Sequence, residues 1–434
     1  MQSWSSPFVP APPPGGSPPR IRDTTTGGLT QPVEGDQARI YVCGITPYDS
    51  THLGHAATYI TFDTLVRTWR DAGLQITYVQ NITDIDDPLL ERAEQTGVDW
   101  ADLARDQVAR YAEDMQALRV LAPSAFIGVV ETVDKIAAAA AQMLNAGAAY
   151  PVQPQDPTAE GPDIYADIAA DERAGTVGRL DEATMDQYFA ERGGDPESPG
   201  KKHHRDPLLW RAARPGEPSF DGGSLGRGRP GWHIECAVIA EDYLGVPFHV
   251  QGGGTDLIYP HHEMSTSHLR MLTGQPEPAS AFVHTGLVAY QGEKMSKSLG
   301  NLVFVSDMRN QGIPPAAIRL TVLAHHYSRD WEYTEEVLHT ARERWDRWRA
   351  AFARAGAPTH GAAGADGEGT ADSGGTSPVV TRIRQALADD LDTPAALAVV
   401  DQWASSPDPA EADAVADAVD ALLGVDLREA PEAD

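Results

Sequence analysis

Hydrophobic and polar positions change rhythm several times along the chain. Residues 1–37 hold no sustained apolar period and are rich in Pro, Gly and Thr, which predicts an arm with little core of its own. From Ala38 the pattern turns regular. ARIYVCGI is an apolar run of strand character. THLGHAATYITFDTLVRTWRDAG places apolar residues at the three- and four-residue spacing of a helix, and LQITYVQNI is again a strand. Together they form a β-α-β unit whose helix starts directly after the first strand. Asp84 to Leu144 then predicts helices, through LLERA, LARDQVARYAEDMQAL and VDKIAAAAAQML.

Residues 150–231 lose that rhythm and predict an inserted segment of short strands and functional loops. VPFHVQGGG resumes as a buried strand, with a helix from about His261. SAFVHTGLVAY predicts one more strand, and GEKMSKSLGN is a Gly- and Lys-rich loop. Residues 306–354 predict a helical stem, 355–378 have the composition of a disordered linker, and 379–434 predict a short helical module. The alternation argues for an α/β fold with a doubly wound, Rossmann-type parallel sheet. Its halves would be 38–149 and 232–305, with the ligand site beyond the strand C-termini. Cys43 to His55, Asn81 to Asp84, Gly252 to His262 and the Lys294 loop all fall at such ends.

A length of 434 residues suggests two or three domains. The longest small-apolar run, Ile136 to Ala141, is far below the roughly 20 residues of a membrane helix. No basic-then-apolar leader is visible, so the expectation is a cytoplasmic protein with no membrane partner. The net charge of −29 opposes non-specific nucleic-acid binding but leaves room for a local basic patch. Two cysteines cannot build a disulfide framework. A Cys43–Cys236 bridge or two separately buried thiols are the simple alternatives.

His52 and His55 stand three apart at a helix start and share a face. Gly54 between them leaves room for a base or sugar, and the helix N-terminus attracts anions. Lys294 and Lys297 lie on a loop bracketed by Gly292 and Gly300. They suit a triphosphate and would balance charge spreading over it in a transition state. Cys43 has no neighbouring cysteine. Cys236 is the other one, 25 residues before His261, and spacing alone does not define a metal site.

His52-Leu53-Gly54-His55 and Lys294-Met295-Ser296-Lys297-Ser298, in this order, resemble the two signature motifs of class I aminoacyl-tRNA synthetases. The resemblance implies ATP, with Mg²⁺, and attack of a carboxylate on the α-phosphate to give an aminoacyl-adenylate and pyrophosphate. YVCGITPYDSTHLGHA, NITDIDD, GWHIEC, QGGGTDLIYPHHE and KMSKS together resemble cysteinyl-tRNA synthetase. That implies one Zn²⁺ per chain, held by Cys43, Cys236 and His261 and reading the substrate thiol. Two positions depart. Ser265 stands where the synthetase has a fourth ligand, a glutamate, and Gln251 where it usually has histidine. His262 or Glu263 would be the local substitutes.

These departures, with NITDIDDPLLERA, ERGGDP, LLWRAARPGEPS and GRPGWHIECA, look like the mycothiol cysteine ligases, over nearly the whole chain. The narrower resemblance implies ATP-dependent joining of L-cysteine to the amine of glucosaminyl-inositol (GlcN-Ins), with release of AMP and pyrophosphate. It places His52, His55, Lys294 and Lys297 in catalysis. The cysteinyl-adenylate contacts it implies are Cys43, Gly44, Ile45, Thr46, Thr58, Asn81, Ile82, Thr83, Trp232, Gly254, Thr255, Asp256 and Val288. Thr83 and Asp256 suit the substrate ammonium, Trp232 walls the small pocket, and Val288 lines the adenine side. Glu191, Arg192 and Asp195 of ERGGDP are expected on the sugar side. A monomer acting on small molecules, without nucleic acid, is the expected form.

A tRNA-charging enzyme shares the first half-reaction. Only 136 residues follow Ser298, short for both a helical bundle and an anticodon-binding domain. A non-catalytic cysteine-binding regulator would have no need of phosphate-closing lysines.

Overall fold

The apolar runs pair into one parallel sheet. In the computed structural model, which describes residues 1–12, 14–295, 299–356 and 377–429, five strands lie side by side. Their spatial order is Ala279–Thr285, Phe248–Gly254, Gln37–Val42, Gln75–Ile82 and Ala125–Gly128. All neighbours are parallel. Side chains alternate between two cores. Ile40 and Val42 join Leu65 on one face, and Tyr41 joins Ile234 and Ile136 on the other. The helix Leu53–Asp71 covers the first face, and Trp232–Leu244 and Val133–Asn145 cover the second.

Chain order reverses between Gln37–Val42 and Phe248–Gly254, which are neighbours through Val250 opposite Ile40 and Gly252 opposite Val42. Such a switch point opens a crevice beyond the strand C-termini. Cys43 directly follows the first of those strands and Gly254 ends the second.

The structure departs from the sequence reading in several places. The stretch expected to be helical between Asp84 and Leu144 contains the strand Ala125–Gly128, which pairs with Gln75–Ile82 from Val79 to Ile82. The single strand expected over SAFVHTGLVAY is two. Val288–Tyr290 leaves the main sheet and pairs with Glu293–Lys294 and with Trp331–Tyr333, a strand inside the expected helical stem. The insertion forms an antiparallel five-stranded sheet, ordered Ala149–Val152, Asp163–Ala166, Leu208–Ala212, Arg227–Pro230, Phe220–Asp221. The first 37 residues are not a free arm. Trp4, Ile21 and Val33 are buried in the main core, and the Trp4 indole donates to the Val120 carbonyl at 2.7 Å. Lys297 and residues 357–376 of the expected linker lie outside the described residues.

The C-terminal helices Pro378–Ala388 and Thr393–Ser405 share the main core. A buried charge cluster fastens this region to Leu53–Asp71. Asp63 accepts from Arg67 Nε at 2.7 Å, from Arg319, and from the Leu121 amide at 2.8 Å. Arg67 also donates to the Asp420 carbonyl at 2.9 Å, and Arg319 to the Leu118 carbonyl at 2.9 Å. Burial pushes the Asp63 carboxyl up, but the Arg319 and Arg67 guanidiniums outweigh it and hold it below the usual range. Its contribution is therefore present above the unfolded carboxylate pKa and is lost as pH falls through the lower folded value. Asp63→Ala leaves two buried guanidiniums without their carboxylate. A loss of about 3–5 kcal/mol is expected, read from the urea midpoint at neutral pH. An unchanged midpoint would show that the arginines are satisfied by carbonyls alone.

Candidate active site

At the switch point the chain turns sharply. The Cys43 amide donates to the Gly252 carbonyl at 3.0 Å, and Gly44 N–H donates to Asn81 Oδ1 at 2.9 Å. A Cβ on Gly44 would sit 1.6 Å from the Asn81 carbonyl oxygen, so only glycine allows the two strand ends to close here. The Thr83 amide donates to the Ile45 carbonyl at 3.0 Å, and Asn81 Nδ2 donates to Thr83 Oγ1 at 3.2 Å. Asn81 and Thr83 thus shape the Cys43–Ile45 segment from behind.

A cavity of about 370 Å³ opens in front of that segment. Of the residues expected on sequence grounds, Cys43, Gly44, Ile45, Thr46, His52, His55, Thr58, Trp232, Gly254, Asp256, Val288 and Lys294 line it. Asn81, Ile82, Thr83 and Thr255 do not. Tyr59 and Thr285, which the sequence did not single out, also line it. Tyr59 donates to the Cys43 carbonyl at 3.2 Å, and the Thr285 hydroxyl meets that of Thr58 at 2.9 Å. Tyr59 carries the strand-to-helix packing and Thr285 ends a sheet strand. The second position was the readable signal, since ligands sit at strand ends.

His52 is the N-cap of the helix Leu53–Asp71, and its Nδ1 accepts from Gly54 N–H at 3.1 Å. That bond leaves the ring proton of the neutral form on Nε2. His55 stacks on His52 with ring centroids 3.7 Å apart. The space beside Gly54, expected to admit a base or sugar, is taken by the His52 ring, 2.9 Å from a built Cβ. Burial lowers His52 to about 4 and pushes His55 well below the ordinary histidine value, with His52 adding to it. Both rings are neutral donors at pH 7. Lys294 Nζ reaches Asp256 Oδ2 at 3.2 Å across the cavity mouth. Asp256, expected to face a substrate ammonium, lines the cavity and carries this partner.

Beside the cavity, Cys43, Cys236 and His261 place their three donor atoms within 4.8 Å of one another, all buried. Both cysteines are free thiols, with sulfurs 3.9 Å apart. His261 Nε2 lies 3.1 Å from Cys236 Sγ, and its Nδ1 lies 3.1 Å from His233 Nδ1. A second partner of this kind fixes the ring of a metal-ligating histidine. Trp232 stacks on His261 at 4.2 Å. Burial pushes the Cys43 thiol up. Burial acts on Cys236 too, but the Cys43 thiol and the His261 ring outweigh it and bring Cys236 well below an ordinary thiol. Two sulfurs and one imidazole, held so close, are a donor set that suits zinc.

The suggested substitutes for a fourth ligand are otherwise engaged. Glu263 accepts from the amides of Gly175, Val177 and Gly178, each at 2.9 Å. Ser265 donates to the His262 carbonyl at 3.3 Å. His262 Nε2 lies 3.1 Å from Cys43 Sγ, while its Nδ1 faces His284 Nε2 at 2.7 Å, and it falls outside the three-donor group. Gln251 reaches Cys43 Sγ at 3.6 Å.

A second cavity, about 730 Å³, shares Thr46 and Trp232 with the first and runs between the insertion and the start of the helix Asp87–Thr96. Glu191, Arg192 and Asp195 line it. Arg192 does not point a free guanidinium into it. Its Nη1 donates to the carbonyls of Asp256 at 2.7 Å and Tyr259 at 2.8 Å, tying the insertion to the segment before His261. Asp195 accepts from Lys201 at 2.8 Å and from Tyr165. Glu191 is exposed and accepts from Gln187 at 2.8 Å.

Comparison with known proteins agrees with this geometry. Residues 29–343 match the family described as tRNA synthetases class I (C) catalytic domain. Among solved structures, an Agrobacterium radiobacter LeuRS–tRNA–LeuAMS complex superposes with a TM-score of 0.61 at 13% identity, covering 91% of this chain and 84% of that one. Mycobacterium tuberculosis methionyl-tRNA synthetase with methionyl-adenylate gives 0.58 at 15%, over 89% and 90%. These show the fold. Relatives from Cellulomonas flavigena (55% identical), Beutenbergia cavernae (57%) and Streptomyces coelicolor (54%) each align over 98% of this chain and their own full length. All three carry the name L-cysteine:1D-myo-inositol 2-amino-2-deoxy-alpha-D-glucopyranoside ligase. With a synthetase-type catalytic domain, a two-cavity crevice and full-length kinship at this level, the chain belongs to the family of those cysteine ligases, built on the class I synthetase fold.

Proposed function

We propose that the chain joins L-cysteine to the amine of GlcN-Ins through a cysteinyl-adenylate, releasing AMP and diphosphate, as a step of mycothiol biosynthesis. The observation that carries this reading is the pair of cavities meeting at Thr46 and Trp232. The first has the thiol–imidazole cluster at one end and the His52–His55 helix start at the other, as an amino acid joined to a nucleotide requires. The second is lined by seven carboxylates against four guanidinium groups. An acid-rich wall suits an amino-polyol and opposes the phosphates of a tRNA end, which favours the ligase over the tRNA-charging alternative.

Cys43, Cys236 and His261 would hold a zinc ion. Bound there, the ion supplies a soft Lewis-acidic position for the substrate thiolate, which a serine hydroxyl fills poorly. An apolar pocket alone separates such small side chains weakly. ATP, with Mg²⁺, occupies the side lined by Thr58 and Val288. His52 Nε2–H and Lys294 then face the phosphates, where donors matched to developing charge lower the barrier. Lys297 would add a second cation from the same loop. Asn81 and Thr83 hold the Cys43–Ile45 backbone in place. Among the described residues no helix is long and apolar enough to cross a membrane, and a cytoplasmic monomer fits the reading.

The test is product mass. The protein is incubated with ATP and L-cysteine and offered GlcN-Ins in one tube and tRNA in another. The cysteinyl amide of the amino sugar, with tRNA uncharged, is the expected result. Charged tRNA and no amide would overturn the reading.

A further inference from the structure

The second half-reaction needs a neutral amine, and none of the groups placed so far takes its proton. Resting on the ligase reading above, we infer that Asp86 receives the acceptor ammonium and accepts its proton at the junction of the two cavities.

Asp86 is half-buried in the wall of the larger cavity, and its charge acts on Tyr48 in the wall of the smaller one. One carboxylate oxygen caps the helix Asp87–Thr96, accepting from the Asp87 amide at 2.8 Å. Among the described residues the other oxygen has no hydrogen-bond partner. The remaining carboxylates of this cavity are committed or peripheral. Asp87 is paired with Arg229, which also holds Glu217 at 3.3 Å. Asp163 is paired with Arg214 at 2.7 Å, and Asp195 with Lys201. Asp156, Glu191 and Glu197 are exposed. Asp86 is thus the sunken carboxylate with an oxygen to offer. The charged groups around it oppose one another. Burial and Asp87 raise its pKa, to about 6, against Arg229 and His261, while Glu235 faces it from the helix Trp232–Leu244. A base of that strength is suited to exchanging a proton near neutral pH.

The step balances without a further reagent. The ammonium gives one proton to Asp86. The freed nitrogen lone pair attacks the adenylate carbonyl carbon, and the carbon–nitrogen bond forms. The carbon–oxygen bond to phosphate breaks, its electron pair leaving on AMP, and the second nitrogen proton passes to water.

The experiment uses Asp86→Asn in the full chain. Asparagine caps helices as well as aspartate does, so the helix start is kept. Each protein is given ATP, L-cysteine and either GlcN-Ins or hydroxylamine, a nucleophile largely unprotonated at neutral pH. Amide and hydroxamate are quantified by mass. The ratio of amide rate to hydroxamate rate is expected to fall about 100-fold or more, the usual size of a lost general base. An unchanged ratio overturns the inference, whether both rates stay or both fall, because a merely structural loss moves both together. Wild-type protein that makes hydroxamate but no amide would instead fell the acceptor assignment, and this inference with it.

Discussion

Cys236→Ser is expected to empty the metal site and to slow cysteine-dependent exchange of pyrophosphate into ATP on the order of 1000-fold. Disturbing only an outer partner of a metal ligand usually costs about 10–100-fold in metal affinity, so removing a thiolate from a three-donor set costs more. Cys236 is the sulfur that His261 approaches at 3.1 Å and whose ionised form the surroundings favour. A hydroxyl there keeps the volume but not the soft anionic donor. His233→Ala provides the graded comparison. It leaves the three donors and removes the partner of His261 Nδ1, so metal affinity should fall within that smaller range. Elemental analysis and the exchange assay read both. A Cys236→Ser protein with one metal ion per chain and full exchange would sink the cluster as the cysteine reader.

The three donors show what a sequence can and cannot display. Cys43 directly follows one strand, Cys236 lies in the first turns of a helix, and His261 follows the glycine strand. No local spacing announces them, and only the crossover of the sheet brings them within reach. The resemblance to synthetases named the three residues that the structure brings together, because its motifs record that crossover. The strands of the β-α-β unit were legible from their apolar period. Ala125–Gly128 was not, since four residues between helices give no period to read. The Pro- and Gly-rich N-terminus misled for a different reason. Its anchoring depends on single residues, Trp4, Ile21 and Val33, rather than on composition. The partners of Arg192 were not legible, because side chains are visible in a sequence and backbone acceptors are not. Its partners are carbonyls of Asp256 and Tyr259. Likewise the string TDIDD offers three acids, and only the structure separates them: Asp84 lies outside the larger cavity, Asp87 is paired with Arg229, and Asp86 lines the cavity without a cation partner among the described residues.

His52→Asn is expected to separate two duties that one side chain performs. The ring caps the helix Leu53–Asp71 through Nδ1, and its Nε2–H serves the cavity. Asparagine accepts from the Gly54 amide equally well but is too short to place a donor where Nε2 stood. Stability should therefore stay within about 0.5 kcal/mol of wild type, the range of exchanges between good caps and neutral substitutions. Exchange of pyrophosphate should fall about 100–1000-fold, as for loss of one preorganised donor. The pH dependence gives an independent check. His52 stays neutral down to about 4, so exchange at saturating cysteine and ATP should show no inflection near 6.5 that His52→Asn abolishes. Stability behaves differently. The unfolded chain takes up a proton on this residue below about 6.5, and the folded chain does not until about 4, so wild-type stability drops as pH falls through that window. His268 and His284, both held down to about 3 by burial, extend the drop further. In His52→Asn the drop between pH 6.5 and 4 should be shallower by about 1.4 kcal/mol per pH unit. A variant that loses exchange and stability together, with an unchanged pH slope, would mean that the ring is only a cap.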